Sequence, residues 1–307
     1  MTAATKDKRA GLVDVSVVLP VFNEAGHIEQ EVVRIRAALD ASDHSYELVA
    51  IDDASTDGSA EVLERLAAQG SVRVITNKVN RGSGGSRRIG TRESRGRVVV
   101  WTDVDMTYPN ERIPELVDEL ERQGVDQVVG ARTSEQGTHK ALRVPAKWII
   151  RNLAQYLAET PIPDLNSGFR AFHRATAVPF LHLLPRGFSC VTTITMTFLA
   201  NDHTVGYLPI AYGERAGVSK FHPIADTRRY ALQVVRMILS YNPLRVFMPI
   251  GLLFLLLGMA KLGFDVFTKD LRVTTNTLLL MFAGFQILAI GLLADLVVRA
   301  TRRPDEL

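Results

Sequence analysis

The 307-residue sequence predicts an α/β fold, a mostly parallel sheet with helices on both faces, followed by a membrane-anchored tail. Three observations carry that prediction. β-Branched runs alternate with helical stretches from Val13 to about Gly130. Carboxylate-rich clusters stand at the C-terminal ends of several of those runs, where open parallel sheets bind ligands. Two apolar stretches close the chain, each near the ~20 residues that cross a bilayer as a helix.

Taken in order, strands are expected at Val15–Phe22, Glu47–Asp52, Val72–Thr76, Arg97–Asp103 and Gln127–Ala131. Between them, His27–Leu39, Ala60–Gln69 and Ile113–Arg122 read as helices. After Gly130 the alternation becomes irregular, with a long helix around Pro145–Leu157 and a turn-rich Pro161-Ile162-Pro163-Asp164. Thr227–Asn242 carries an apolar stripe of Tyr230, Val234, Met237, Ile238 and Tyr241, with Arg229, Gln233, Arg236 and Ser240 on a second face. An ordinary packed helix fits that pattern too, but its place directly before an apolar span favours a helix lying in the membrane interface.

The apolar runs cover Val246–Phe267 and Thr277–Val298, joined by the short Thr268–Asn276, so a hairpin is expected. Arg228, Arg229, Arg236 and Arg245 precede it and Arg299, Arg302 and Arg303 follow it, whereas the connection holds only Lys269 and Arg272. The positive-inside rule puts both termini in the cytoplasm, on the inner side of the plasma membrane. The first residues, MTAATKDKRAGLVDV, contain no apolar signal core. The expected division is 1–222 as the soluble domain, 223–244 as the interface helix and 245–307 as the hairpin.

Composition narrows the chemistry. A net charge of +3 gives no electrostatic case for nucleic acid. The single Cys190 excludes a disulfide framework and a cysteine zinc site.

Asp103-Val104-Asp105 follows the run Arg97–Thr102. If extended, residues i and i+2 point to one side, and two hard oxygen ligands suit Mg²⁺ or Mn²⁺. A solvated turn is the plainer reading of D-x-D alone. Leu19-Pro20-Val21-Phe22-Asn23-Glu24 and Asp52-Asp53-Ala54-Ser55-Thr56-Asp57-Gly58-Ser59 end two other strands, so they should share a mouth with it. Helix capping accounts for the second cluster except for Asp52 and Asp53. Asn80-Arg81-Gly82-Ser83-Gly84-Gly85-Ser86-Arg87-Arg88 reads as a glycine-rich loop before a helix, suited to close approach of a phosphate. It is neither a P-loop nor a dinucleotide fingerprint, which argues against Walker-type and dehydrogenase chemistry.

Together, LPVFNE, DDASTDGS, NRGSGG and DVD resemble the GT-A, Rossmann-like glycosyltransferases of family 2. Asp164-Leu165-Asn166-Ser167-Gly168-Phe169-Arg170 and Arg215-Ala216-Gly217-Val218-Ser219-Lys220 narrow the resemblance to polyprenyl-phosphate sugar synthases of the dolichol-phosphate mannose synthase type. The resemblance implies inverting, metal-dependent transfer from a nucleotide-diphosphate sugar to a polyprenyl phosphate such as undecaprenyl phosphate. It implies that Pro20, Phe22 and Glu24 line the nucleotide pocket, that Asp52 reads the base, and that Asp103 and Asp105 hold the metal. The strand-end and loop positions add Asp53 and Gly82 to the nucleotide-sugar set. Arg132 and Arg143 would stand near the reacting phosphates, with Asp164 as candidate base. Ser167, Arg170, Arg215, Ser219 and Lys220 would bind the acceptor phosphate at the lipid surface. Anchors of this type often pack as homo-oligomers.

The sequence departs from the family at Ser83, where Lys is frequent, and at Met106-Thr107-Tyr108-Pro109, where Leu-Gln often follows the D-x-D. The sugar is therefore left open. Two rivals remain. A processive polysaccharide synthase would carry Q-x-x-R-W, but Gln233-Val234-Val235-Arg236-Met237 lacks the Trp. A non-catalytic membrane scaffold would not need the acids and bases of the motifs intact.

Overall fold

The computed structural model describes residues 13–133, 161–213, 242–268 and 273–301, with residues 155 and 239 singly. The chain divides into two compact units, Met1–Tyr230 and Ala231–Leu307.

The first unit is built on a seven-stranded sheet. Its strands are β1 (Val15–Val21), β2 (Tyr46–Asp52), β3 (Arg73–Thr76), β4 (Val98–Trp101), β5 (Gln127–Arg132), β6 (Arg170–His173) and β7 (Val205–Ile210). The order is β3-β2-β1-β4-β6-β5-β7. β1 pairs in parallel with β2 and β4, and β5 with β7, while β6 runs antiparallel between β4 and β5. All strands but β6 therefore end at one edge. Because β6 begins where the others end, the segment leading into it also arrives at that edge.

Helices α1 (Ile28–Asp40), α2 (Ser59–Ala68), α3 (Ser83–Glu93), α4 (Ile113–Gln123) and α5 (Cys190–Ala200) follow in chain order. Strand alternation separates two cores. Val15, Val17, Leu19 and Val21 meet α1, α2 and α4 on one face, whereas Val18, Val49, Val99 and Trp101 meet the segment 177–198 on the other. α3 lies close against β1 and β2, since a Cβ on Gly90 would meet Val18 at 2.4 Å. α4 shows why such helices start and stop where they do. It has Pro114 in its first turn, Arg122 in its last, and Gly124 in the left-handed region at φ 61° to end it.

The five expected strands are present, each bound within one residue of its expected place except the end of β4, which falls two residues short. The alternation also runs past Gly130: β6, β7 and α5 lie in the stretch that reads as irregular. β6 has only four residues and α5 is apolar and buried almost all round, so neither displays the half-buried period that marks a surface element. The expected helix at Pro145–Leu157 and nearly all of the interface helix fall outside the described residues.

In the second unit, α6 (Leu244–Thr268) and α7 (Thr275–Thr301) are long and apolar enough to cross a membrane. They pack where glycines let backbones approach. A Cβ on Gly258 would stand 2.6 Å from Met281, and one on Gly291 2.6 Å from Phe247. At the turn end the buried Asp265 accepts hydrogen bonds from the hydroxyls of Thr274 (2.7 Å) and Thr277 (2.5 Å) and from Thr274 N (3.2 Å).

Candidate active site

β1, β2 and β4 deliver three polar clusters to one edge of the sheet. The first, Pro20 to Glu24, runs past the end of β1 with Asn23 in the left-handed region at φ 55°. It is tied to the second cluster: Asn23 N donates to Ser55 Oγ (3.1 Å), Glu24 N to Ser59 Oγ (2.9 Å) and Thr56 N to Asn23 Oδ1 (2.8 Å). Phe22 and Glu24 remain part-exposed, as residues lining a pocket must be. Asp52 is buried and accepts from Ser55 N at 3.1 Å. Asp53 is equally buried, but its carboxylate closes the next loop: it accepts from Asn77 Nδ2 (2.8 Å), Arg81 N (2.8 Å) and Gly82 N (2.7 Å). The structure thus gives Asp53 a loop-holding position rather than one facing a ligand.

The glycine-rich stretch differs from its expected form. Helix α3 already begins at Ser83, so Gly84 and Gly85 lie in its first turn. Gly84 N (2.8 Å) and Gly85 N (3.2 Å) donate to the carbonyl of Arg186, which occupies the helix N-terminus where a phosphate was expected. The glycines serve that contact, because a Cβ on Gly84 would stand 2.1 Å from Pro185 O. Gly82, at φ 75°, sets the entry to the helix, with Arg186 O 2.5 Å from any added Cβ.

Asp103 and Asp105 also differ from the extended pair. β4 ends at Trp101, two residues before Asp103, and the chain turns through Met106 at φ 64°. What positions the carboxylates is side-chain chemistry. Arg87 Nη2 donates to Asp103 Oδ1 at 2.6 Å. Thr107 Oγ1 donates to Asp105 Oδ1 at 2.5 Å. Beneath them Asn110 joins three elements, accepting from Thr102 Oγ1 (2.5 Å) and donating to Glu31 Oε2 (2.6 Å) and to the carbonyl of Asp103 (3.2 Å). Burial pushes the Glu31 carboxyl up from its ordinary range, which the hydrogen bond from Asn110 and the charge of Arg34 offset only in part.

Arg87 reads from the sequence as a cation flanking the phosphate loop. In the structure it points inward, 2 % exposed, with its guanidinium 5.7 Å from the centre of the Trp101 ring. Burial alone would weaken its hold on the proton, and Asp103 foremost, then Cys190 and Tyr108, outweigh that. The face Gly84, Arg87, Thr91 at helical spacing was the available signal. For Thr107, the signal was a hydroxyl two residues after an aspartate at a turn.

The segment before β6 completes the edge. Gly168 brings its backbone against three site residues: an added Cβ would meet Arg87 Nη2 at 2.8 Å, Asp103 Oδ2 at 3.1 Å and Tyr108 Oη at 3.3 Å. Gly168 N donates to Tyr108 Oη (2.7 Å), and Tyr108 stacks on Phe169 with centroids 5.8 Å apart. Arg132, at the end of β5, makes a forked pair with Asp164 at 2.6 and 3.0 Å and lies 5.2 Å over the ring of Tyr212. Burial opposes ionisation of Asp164, but Arg132 and the backbone N–H groups of Asn166 and Arg132 hold it below the usual carboxylate range. A carboxylate so held is a poor general base, which weighs against the role expected of Asp164.

Arg170 stands on β6 rather than on a loop, and its side chain is fully buried. It donates to the carbonyls of Val191 (2.6 Å) and Ser167 and to Thr195 Oγ1 (2.8 Å). Burial foremost, then Arg87, lowers its pKa to about 10. Ser167 is fully buried as well. Both therefore build the floor of the edge instead of projecting to an acceptor. Arg143, Arg215, Ser219 and Lys220 lie outside the described residues.

Among the described residues no group of three or more His, Cys, Asp or Glu is placed to hold a metal by itself. Two carboxylates nevertheless fit Mg²⁺ or Mn²⁺, which take one or two from the protein and complete their shell from phosphates and water.

Comparison with known proteins bears on this geometry. Residues 16–177 match Glycosyl transferase family 2, and residues 242–300 match the GtrB C-terminal hairpin. The undecaprenyl-phosphate 4-deoxy-4-formamido-L-arabinose transferase of Pseudomonas fluorescens is 31% identical, over 93% of this chain and 85% of its own. The dodecaprenyl-phosphate galacturonate synthase of Rhizobium johnstonii is 25% identical, over 95% of this chain and 90% of its own. Among solved structures, glucosyl-3-phosphoglycerate synthase from Mycobacterium tuberculosis, in complex with Mn²⁺, UDP and glucosyl-3-phosphoglycerate, shares the fold. Its TM-score is 0.56 at 22% identity, over 73% of this chain and 80% of that one.

Proposed function

The chain belongs to glycosyl transferase family 2, and from that premise we propose that it moves a sugar from a nucleotide diphosphate to the phosphate of a membrane polyprenol. The observation that carries this reading is the joining of the family domain to an apolar hairpin that matches the GtrB C-terminal hairpin, in a chain that aligns over 93% of its length with a polyprenyl-phosphate transferase. A soluble acceptor would not require the hairpin. Under this reading residues 1–222 form the catalytic domain, 223–244 an interface helix and 245–307 the anchor. The catalytic domain and both termini lie on the cytoplasmic side.

An oxygen of the acceptor phosphate attacks the anomeric carbon as the bond from that carbon to the diphosphate oxygen breaks. The electron pair leaves with the nucleoside diphosphate and the centre inverts. Mg²⁺ or Mn²⁺ held by Asp103 and Asp105 would neutralise charge on the leaving diphosphate. Pro20, Phe22, Glu24 and Asp52 line the nucleotide side of the mouth. Arg132, fixed by Asp164 and Tyr212, contributes a preorganised cation beside the reacting phosphates, and Arg143, Arg215, Ser219 and Lys220 supply further phosphate contacts.

No proton need leave the nucleophile. A phosphate monoester has its second pKa near ~6 and is mostly dianionic at neutral pH. Asp164 then acts by holding Arg132. Asp164→Asn is expected to keep most of the rate at about pH 7.5, whereas a fall of about 10²- to 10⁴-fold there would restore the base.

The deciding assay incubates the purified full chain with Mn²⁺, undecaprenyl phosphate and UDP-, GDP- or TDP-sugars in turn, and analyses the lipid fraction. A single sugar on the lipid is the expected product. A growing polymer would favour a processive synthase, and no turnover with any donor would favour a scaffold.

A further inference from the structure

We propose that Arg87 and Thr107 are positioning residues for the two carboxylates of the D-x-D, each tethering one oxygen so that the pair keeps its affinity for a divalent cation. The inference rests on the reading of Asp103 and Asp105 as metal ligands.

Neither aspartate gains its orientation from the sheet, because β4 ends at Trp101 and the following turn bends through a left-handed Met106. A short segment outside a ladder leaves its side chains free to choose among rotamers, and a divalent ion penalises the wrong ones. The structure supplies a constraint on one oxygen of each residue. Arg87 holds Asp103 Oδ1 at 2.6 Å and Thr107 holds Asp105 Oδ1 at 2.5 Å.

Both tethers are themselves rigid. Arg87 is 2 % exposed on α3, against Trp101, whose indole N–H donates to Thr91 Oγ1 of the same helix at 2.8 Å. α3 is in turn fixed at its N-terminus by the carbonyl of Arg186. Thr107 is also 2 % exposed, and its carbonyl accepts from Gly213 N at 2.9 Å. The partners differ in exposure: the Asp103 side chain is 33 % exposed, so a buried cation reaches out to a carboxylate that solvent and ligand also reach.

Charge and position make opposite predictions for Arg87. A cation beside a metal ligand repels the metal, so if Arg87 were only a counter-charge its loss would tighten metal binding. If it orients Asp103, its loss weakens binding despite the relieved repulsion. Partners of metal ligands typically cost about 10- to 100-fold in affinity when removed.

The test measures Mn²⁺ binding by electron paramagnetic resonance to the full chain in nanodiscs, with UDP, GDP and TDP supplied in turn. Thr107→Val keeps the shape and removes the hydroxyl, Thr107→Ser restores it, and Arg87→Met removes the fork and charge. Thr107→Val and Arg87→Met are each expected to bind Mn²⁺ about 10- to 100-fold more weakly, with Thr107→Ser close to wild type. Wild-type affinity in Thr107→Val, or tighter binding in Arg87→Met, overturns the proposal while leaving the metal reading standing. Absence of Mn²⁺ binding by the unaltered chain with every nucleotide overturns the metal reading and this proposal with it. Should Arg87→Met fail to fold, as a melting curve would reveal, the threonine pair decides alone.

Discussion

Asp164 in the α/β unit and Asp265 in the hairpin are both buried carboxylates, yet they are satisfied by different chemistry. Asp164 meets the planar fork of Arg132 at 2.6 and 3.0 Å, with backbone N–H groups completing its shell. Asp265 meets two threonine hydroxyls and a backbone N–H across the turn, with Lys261 at 3.5 Å one helical turn away. At the sheet edge, where phosphates are to be handled, a full opposite charge is kept in place. Between two apolar helices, short-range hydroxyl donors meet the carboxylate within the hairpin itself. The buried acid at the sheet edge holds a cation in place, whereas the acid in the hairpin fixes the turn.

Breaking the first kind of contact should cost most. Asp164→Ala leaves the half-buried Arg132, 16 % exposed, without its carboxylate; a fully buried uncompensated charge costs about 3–5 kcal/mol, and this one somewhat less. Chemical denaturation of the α/β unit, followed by tryptophan fluorescence, would register it. Because the folded-state pKa of Asp164 lies below its unfolded value of 3.8, its contribution is present above that value. It is lost as pH falls through the lower folded pKa. The difference between wild type and Asp164→Ala should therefore shrink on acidification below pH ~4. A difference that grows there would mean that Asp164 is carried neutral.

Next in size comes packing at the start of α3. Gly84→Ala places a methyl 2.1 Å from Pro185 O, a backbone atom that cannot swing aside. Overpacking of this sort costs about 1–3 kcal/mol. A melting temperature equal to wild type would show that the 185–187 segment yields freely, and that the helix N-terminus is open to a phosphate after all. The smallest effect belongs to the hairpin. Asp265→Ala in detergent should lose only about 1 kcal/mol, since hydrogen bonds between membrane helices average less than in a protein core. Steric trapping or denaturation in mixed micelles measures it. A loss as large as that of Asp164→Ala would erase the contrast and show that the ion pair with Lys261, at 3.5 Å, outweighs the hydroxyl bonds at Asp265.

Much of this molecule was legible in the sequence because its signals are local. The strands from Val15 to Arg132 follow from β-branched runs, and the hairpin follows from two uninterrupted apolar stretches. The clusters after β1, β2 and β4 were readable as one mouth, since parallel strands share an edge. What was not legible has a common cause. Arg87, Arg170 and Asp53 are polar residues of motif-like stretches, where exposure is the local expectation. Each turns inward to a partner 16 or more positions away, or to a loop it must close. Arg87 and Asp103 come together only because α3 packs on the sheet.

The sequence by itself therefore determined the architecture, the family and the pair of acids, since periodicity, run length and motif order are properties of neighbouring residues. Tertiary structure alone decided that Arg87 reaches Asp103, that the glycines of α3 receive a protein carbonyl, and that Asp164 is paired with Arg132. Those outcomes depend on distances between elements far apart in the chain, which no local pattern encodes.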